Sequence, residues 1–155
     1  MGKGFMVKLT IPFRMHQAGW ILIAICAVIG IATNGWRLGV VFGFFMVASL
    51  LLHEAGHILA AAFLGVRVHE FGLRMAGAYI RRAYASTQQD EVLIAAAGPL
   101  MNLCLMLPFS FVPVIGNHLA LGNLALGLVN LLPIPASDGL RILRALRFST
   151  AEPSA

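Results

Sequence analysis

The sequence predicts an all-α polytopic membrane protein with about four transmembrane helices and a small membrane-associated β element between the second and third. Of its 155 residues, 59% are hydrophobic and only 11% are charged, whereas a soluble domain carries about 25% charged residues. The basic residues lie at the edges of long apolar runs, not in a cluster, which argues against a nucleic-acid-binding surface. The length fits one domain.

The first two apolar runs predict two transmembrane helices. Residues 18–33 follow Lys3, Lys8 and Arg14, as in a signal peptide, but no small-x-small cleavage site follows, so we expect a retained anchor. Residues 38–64 would form a helix about 40 Å long at 1.5 Å per residue. Because this exceeds the hydrocarbon core, the helix must tilt or protrude.

The third and fourth apolar runs are interrupted by prolines. Residues 91–115 begin with acidic side chains, which are favourable at a helix N-terminus, and contain three prolines. Residues 119–132 would span only about 21 Å before Pro133 ends the helix. This fourth helix cannot cross the core alone.

The connection at 66–86 differs from the rest of the chain. It alternates apolar and polar residues, with Gly72 and Gly77 as turn residues. This pattern predicts short strands or a hairpin at the cytoplasmic surface.

The basic residues predict the orientation, because cytoplasmic flanks keep an excess of Lys and Arg. With the N-terminus inside, Arg37 is the one basic residue of 11 that would lie outside. We therefore expect an integral membrane protein with both termini in the cytoplasm.

The sequence His53-Glu54-Ala55-Gly56-His57 lies inside the second apolar run. Residues four apart share a helix face, so the two imidazoles can bind one Zn²⁺ while Glu54 acts as general base. Ionisable side chains are costly at membrane depth and are therefore usually functional. The alternative is that the two histidines only join helices by hydrogen bonds.

A catalytic zinc site needs a third protein ligand. The other histidines, His16, His69 and His118, lie in interfacial or loop segments, and the two cysteines have no metal-binding spacing. Asp138 follows a proline-broken stretch, and broken backbone at membrane depth is tolerated only when buried in protein or beside a wet cavity. It is a candidate ligand, and the alternative is an N-cap of a short helix at 139–146.

The third motif is Gly98-Pro99-Leu100-Met101-Asn102. The glycine and proline permit a kink and close helix approach, and Asn102 needs a polar partner at that depth. By itself the pattern is more typical of packing than of chemistry.

In this order, HEAGH, GPLMN and NLLPIPASDG resemble the motifs of the site-2 protease family, which are intramembrane zinc metalloproteases. The resemblance covers 38–146. It implies one Zn²⁺ held by His53, His57 and Asp138, with Glu54 as catalytic base. It also implies that Asn130 binds the substrate backbone and that Asn102 shapes the cavity.

Further expectations follow from the same resemblance. Residues 1–148 would form a single intramembrane metalloprotease domain of a compact form without PDZ or CBS domains, followed by a polar tail at 149–155. The substrate would be a single-pass transmembrane protein or membrane-embedded peptide, which could add as a strand beside 66–82. The resemblance places the protein in a bacterial or archaeal cell membrane, either as a homo-oligomer or with an accessory membrane protein. Leu140 stands where many members have a second glycine, which predicts a local packing change with the metal retained.

Two other classes remain open on the sequence. One is a zinc-binding membrane protein without proteolysis, such as a transporter or a sensor. The other is an inert helical subunit whose polar residues only hold helices together. A Glu54→Gln substitution and a metal analysis separate these from a protease.

Overall fold

A computed structural model describes residues 11–75 and 77–149, so Lys3, Lys8 and most of the predicted tail lie outside it. The described chain is mainly helical with one small sheet, which confirms the predicted fold at that level. In chain order the elements are β1 (Phe13–Met15), α1 (Gln17–Phe63), β2 (Val68–Arg74), β3 (Gly77–Arg82), α2 (Gln88–Ser110), α3 (Gly116–Leu131) and α4 (Asp138–Ser149).

Helix α1 is broken at Gly35 into two legs, 17–34 and 36–63. Gly35 has φ 73° and ψ 167°, a conformation that side chains other than glycine's strongly disfavour. The legs pack back on each other, because Gly30 lies against Gly39 and a Cβ on Gly43 would lie 2.9 Å from Cα of Ala27. The legs correspond to the first two predicted helices.

Helices α2 and α3 correspond to the third and fourth predicted helices, with one correction. The Thr87 side chain caps α2 by accepting a hydrogen bond from the amide of Asp90 at 3.1 Å. The helix ends at Ser110, five residues before the predicted end at residue 115, because Pro113 and a turn with Val114 at φ 68° interrupt it.

The three strands form one sheet in the order β1-β2-β3, with β1 parallel and β3 antiparallel to β2. The predicted hairpin is therefore confirmed as β2 and β3. Strand β1 was not predicted, since its residues could be read only as the basic flank of the first helix. An ion pair between Arg82 and Glu91, 2.6 Å long, joins the end of β3 to the start of α2.

The surface carries many large apolar side chains, and part of the interior is polar. Phe44 and Leu107 are about 70% and 68% exposed, whereas Ser49, Asn102 and Asn123 are completely buried. In the described ranges, α1 and α2 are long and apolar enough to cross a membrane. A large exposed apolar surface suits a lipid environment, in which polar side chains face the interior of the protein.

Candidate metal centre

Three side chains from two distant parts of the chain converge in the polar interior. His53 and His57 lie one turn apart on the second leg of α1, and Asp138 is the first residue of α4. Oδ2 of Asp138 lies 3.1 Å from Nε2 of His53 and 3.3 Å from Nε2 of His57. The two Nε2 atoms are themselves 3.3 Å apart, so the three atoms form a nearly equilateral triangle.

The dimensions of this triangle suit a tetrahedral metal ion. Ligand atoms about 2.0–2.1 Å from a tetrahedral zinc are separated by roughly 3.3 Å along each edge. Two imidazole nitrogens and one carboxylate oxygen are a ligand set that zinc accepts in catalytic sites, with the fourth position open. Within the described residues this is the one group of three or more His, Cys, Asp and Glu side chains with such a geometry.

Each imidazole is held by a hydrogen bond at Nδ1, the ring nitrogen that does not belong to the triangle. Nδ1 of His57 lies 2.6 Å from the carbonyl oxygen of Ile94, and Nδ1 of His53 lies 2.5 Å from Oδ1 of Asn102. A carbonyl oxygen accepts and never donates, so each Nδ1 carries a proton and each Nε2 presents its lone pair to the triangle.

Asp138 is free to face the histidines because its neighbour caps the helix. Oγ of Ser137 accepts a hydrogen bond from the amide of Leu140 at 3.1 Å, which is the N-cap interaction. The alternative of Asp138 as the N-cap is therefore wrong, although the predicted short helix is present as α4. The other carboxylate oxygen of Asp138 faces Arg141 at 3.5 Å.

Gly98 of the GPLMN motif lies directly against the two imidazoles. A Cβ at this position would collide with the ring of His57 and would lie 2.7 Å from Nε2 of His53. The glycine therefore allows α2 to close one side of the site. The neighbouring Asn102 reaches His53, which supplies the polar partner that the sequence required for it.

A cavity of about 440 Å³ lies between the triangle and the sheet. Glu54 and Asn130 line it beside His53 and Asp138, and residues 77–81 of β3 line the opposite wall. In the sheet order β3 has a neighbour on one side only, so one edge of β3 is without a partner strand among the described residues.

Asn130 is positioned by its own helix. Its Nδ2 donates to the carbonyl oxygen of Leu126 at 2.9 Å. Oδ1 of Asn130 has no hydrogen-bond donor in the part of the chain that the structure describes, which leaves an acceptor at the cavity wall.

The cavity wall on the sheet carries a separate polar cluster. The Tyr79 hydroxyl donates to Glu70 at 2.6 Å and lies 2.9 Å from Nε2 of His16, while Arg14 lies 3.7 Å from Glu70. The hydrogen bond from Tyr79 holds the pKa of the Glu70 carboxyl below its ordinary value, with Arg14 acting in the same direction. The same bond raises the pKa of Tyr79. The cluster links all three strands to the start of α1.

The other histidines considered as ligands lie away from the triangle. His16 bonds to Tyr79, and His69 and His118 are exposed on β2 and at the start of α3. Sequence reasoning passed over Asn123 and Ser49, which are completely buried behind Asn102. The signal that could have identified Asn123 is its position as a polar residue inside the apolar run 119–132.

Comparisons with known proteins give a consistent result. Residues 41–120 match the family described as Peptidase family M50. A zinc metalloprotease of Methanocaldococcus jannaschii is 30% identical over 88% of the chain and 42% of its own length. A Synechocystis protein whose name assigns it to the zinc metalloproteases is 32% identical over 72% of the chain and 32% of its own length.

A solved structure agrees as well. The site-2 protease from Methanocaldococcus jannaschii superposes with a TM-score of 0.74 at 27% identity, covering 92% of this chain and 70% of the other. The chain spans about a third to a half of the length of the curated relatives that it matches.

Proposed function

Because the chain belongs to peptidase family M50, we propose that it is an intramembrane zinc metalloprotease of the site-2 type. The observation that carries the proposal is the triangle of His53, His57 and Asp138, with edges of 3.1–3.3 Å. Glu54 lies on the same cavity wall. This is the arrangement that hydrolysis with one zinc ion requires, with three protein ligands and an adjacent base.

The chemistry divides between the metal and the side chains. A zinc ion bound by the three residues supplies Lewis-acid chemistry, making water acidic enough to ionise near neutral pH and polarising a carbonyl. The Glu54 carboxylate accepts the proton from the attacking water and then passes it to the departing amine nitrogen. The side chain of Asn102 and the carbonyl of Ile94 hold the imidazoles in place during these steps.

The substrate is proposed to bind as an extended strand along the open edge of β3. Residues 77–81 line the cavity, so a peptide added there would run past the metal site. An added strand is held by main-chain hydrogen bonds. In this extended conformation the scissile amide is exposed, whereas a helix would conceal it. The free Oδ1 of Asn130 would accept a hydrogen bond from one substrate amide.

The proposal includes a four-helix arrangement in the bilayer. The two legs of α1 and helix α2 are about 27–42 Å long at 1.5 Å per residue, whereas α3 is shorter and must be covered by its neighbours. We further propose that the substrate is a single-pass membrane protein, that both termini are cytoplasmic, and that an accessory membrane protein or a second copy can complete the lipid-facing side.

The direct test is Glu54→Gln in the purified full chain, with cleavage of a model transmembrane substrate and bound zinc both measured. Because Glu54 is a base and not a ligand, zinc should be retained while cleavage falls by about 10²–10⁴-fold. Asp90→Asn is the matched control, since this acid lies at the start of α2 and outside the cavity lining. It should cleave as the parent does.

Unchanged cleavage by Glu54→Gln would overturn the proteolytic mechanism. A parent protein that binds no zinc, with His53→Ala altering nothing, would instead favour a purely structural role for these residues.

A further inference from the structure

A line of buried polar side chains leads from His53 away from the cavity. Nδ2 of Asn102 lies 3.0 Å from Oδ1 of Asn123, and Nδ2 of Asn123 lies 3.0 Å from Oγ of Ser49. The three residues come from α2, α3 and α1 and are all 0% exposed. Asn123 and Ser49 are absent from the described cavity lining, so they cannot act on a substrate directly.

The far end of this line fixes its hydrogen-bond direction. Nδ2 of Asn123 also lies 3.0 Å from the carbonyl oxygen of Leu119, and Oγ of Ser49 lies 2.8 Å from the carbonyl oxygen of Phe45. Backbone carbonyls only accept hydrogen bonds. The serine proton must therefore point to Phe45, and the amide nitrogen of Asn123 must face Leu119 and Ser49.

This direction is transmitted to the metal site one amide at a time. With its nitrogen so placed, Asn123 directs its Oδ1 towards Asn102. Asn102 must therefore donate a hydrogen bond to this oxygen from its Nδ2. Asn102 then presents Oδ1 to Nδ1 of His53. An oxygen at that position requires the imidazole proton on Nδ1 and leaves the Nε2 lone pair for the metal.

The opposite orientation of Asn102 would be harmful. Its amide nitrogen would donate to Nδ1 and move the imidazole proton to Nε2, where it would occupy the position that binds the metal. A rotated amide has nearly the same shape, so packing alone does not choose between the two orientations. The choice depends on the partner of Asn102.

We propose that Asn123, anchored by Ser49 and the Leu119 carbonyl, is a positioning residue that keeps His53 in its metal-binding tautomer. The inference rests on the metal site of the proposed function but not on proteolysis. It assigns a role to two residues that contact neither substrate nor metal and that lie outside the HEAGH, GPLMN and NLLPIPASDG motifs.

The test is a double-mutant cycle on zinc affinity, measured by chelator competition in the full chain. Asn123→Leu removes the partner of Asn102 while keeping the branched shape and the number of heavy atoms of the side chain, and zinc affinity should fall by about 10–100-fold, as for other outer partners of metal-bound histidines. In an Asn102→Asp background the carboxylate accepts from His53 in either orientation. There, Asn123→Leu should cost little.

Two further measurements separate positioning from packing. In the zinc-loaded protein, the Nδ1 proton of His53 should exchange with solvent faster in Asn123→Leu than in the parent, as seen by NMR of ¹⁵N-histidine. Leu124→Ala, a half-buried neighbour on the same helix, should leave this proton and the zinc affinity near the parent values. Should the leucine variant not fold, Asn123→Ala serves in its place.

Equal losses from Asn123→Leu in both backgrounds would show a packing role and overturn the inference, as would an unchanged zinc affinity in the parent background. Neither outcome bears on cleavage by the parent. Failure of the parent to bind zinc would overturn this inference together with the proposed function. Unchanged cleavage by Glu54→Gln, in contrast, would overturn only the proteolytic mechanism and would leave the result of the double-mutant cycle valid.

Discussion

At the scale of single residues, the site depends on which atom each side chain presents. His53 and His57 were predictable because a four-residue spacing on a helix brings two imidazoles together. Asp138 was predictable only as a candidate, since it lies 85 positions after His53 in the sequence and only the fold brings its Oδ2 to within 3.3 Å of both histidines. Because Ser137 caps α4, the Asp138 carboxylate is not needed as a helix cap and can face the histidines.

Gly98 provides a prediction at this scale. Gly98→Ala should lower zinc affinity by at least about 100-fold, a loss at the upper end of that seen for partners of metal ligands, because the added methyl would collide with His57 and lie 2.7 Å from Nε2 of His53. Zinc titration of the purified protein measures the effect.

Gly122→Ala is the matched control for this change. Its added methyl would meet the sulfur of Met46 at 2.9 Å, and a flexible methionine end can move aside. Zinc affinity should stay near the parent value in this variant. Equal losses from the two substitutions would contradict the role of Gly98.

At the scale of elements, polar contacts help to join the sheet to the start of α1. Tyr79 on β3 contacts both Glu70 on β2 and His16 at the start of α1. The β2–β3 hairpin was predictable from its alternation and glycines. Strand β1 was not, because three residues are too few for a periodic pattern and its pairing partner lies more than 50 residues away.

Tyr79→Phe tests this link. Loss of the phenol should let the pKa of Glu70 rise towards its ordinary value and speed amide hydrogen exchange in β3. A carboxyl whose pKa is lowered by folding stabilises the fold above its ordinary pKa, and that contribution is lost as pH falls through the lowered value. The parent sheet should therefore persist to lower pH than that of the variant.

The readout is a carboxyl ¹³C titration of Glu70 together with hydrogen exchange. Tyr84→Phe is the control, because Tyr84 is 92% exposed and should change neither. An identical Glu70 titration in Tyr79→Phe and the parent would show that the phenol does not set this pKa.

At the scale of the whole molecule, the charge distribution and the fold agree. Arg14, Arg74, Arg81 and Arg141 surround the cavity, whereas Arg37 follows the Gly35 break at the other end of the legs. The order of the apolar helical segments could be predicted from hydropathy, since each of them is a long apolar run in the sequence. Their break points could not, since Gly35 and Val114 act through backbone conformation that composition does not record.

Orientation can be measured by cysteine labelling in a Cys26→Ala, Cys104→Ala background. A cysteine at Asn117, exposed at the start of α3, should react with an impermeant reagent from outside the cell. A cysteine at Tyr84 should react only after the cytoplasmic side is opened. The reverse pattern would overturn the proposed orientation and with it cytoplasmic access to the site.

The turn at Gly35 also gives a starting point from which distances along the second leg of α1 can be counted. Trp36 is 69% exposed and Arg37 stacks on its ring at 5.1 Å, a pairing suited to the membrane–water boundary. Counting from Trp36 along the leg at 1.5 Å per residue, His53 lies about 26 Å away along the helix axis. In the proposed membrane arrangement, with a hydrocarbon layer about 30 Å thick, the leg would place the metal site a few ångströms inside the opposite boundary. One helical turn inserted into this leg would move the metal site by about 5.4 Å relative to Trp36.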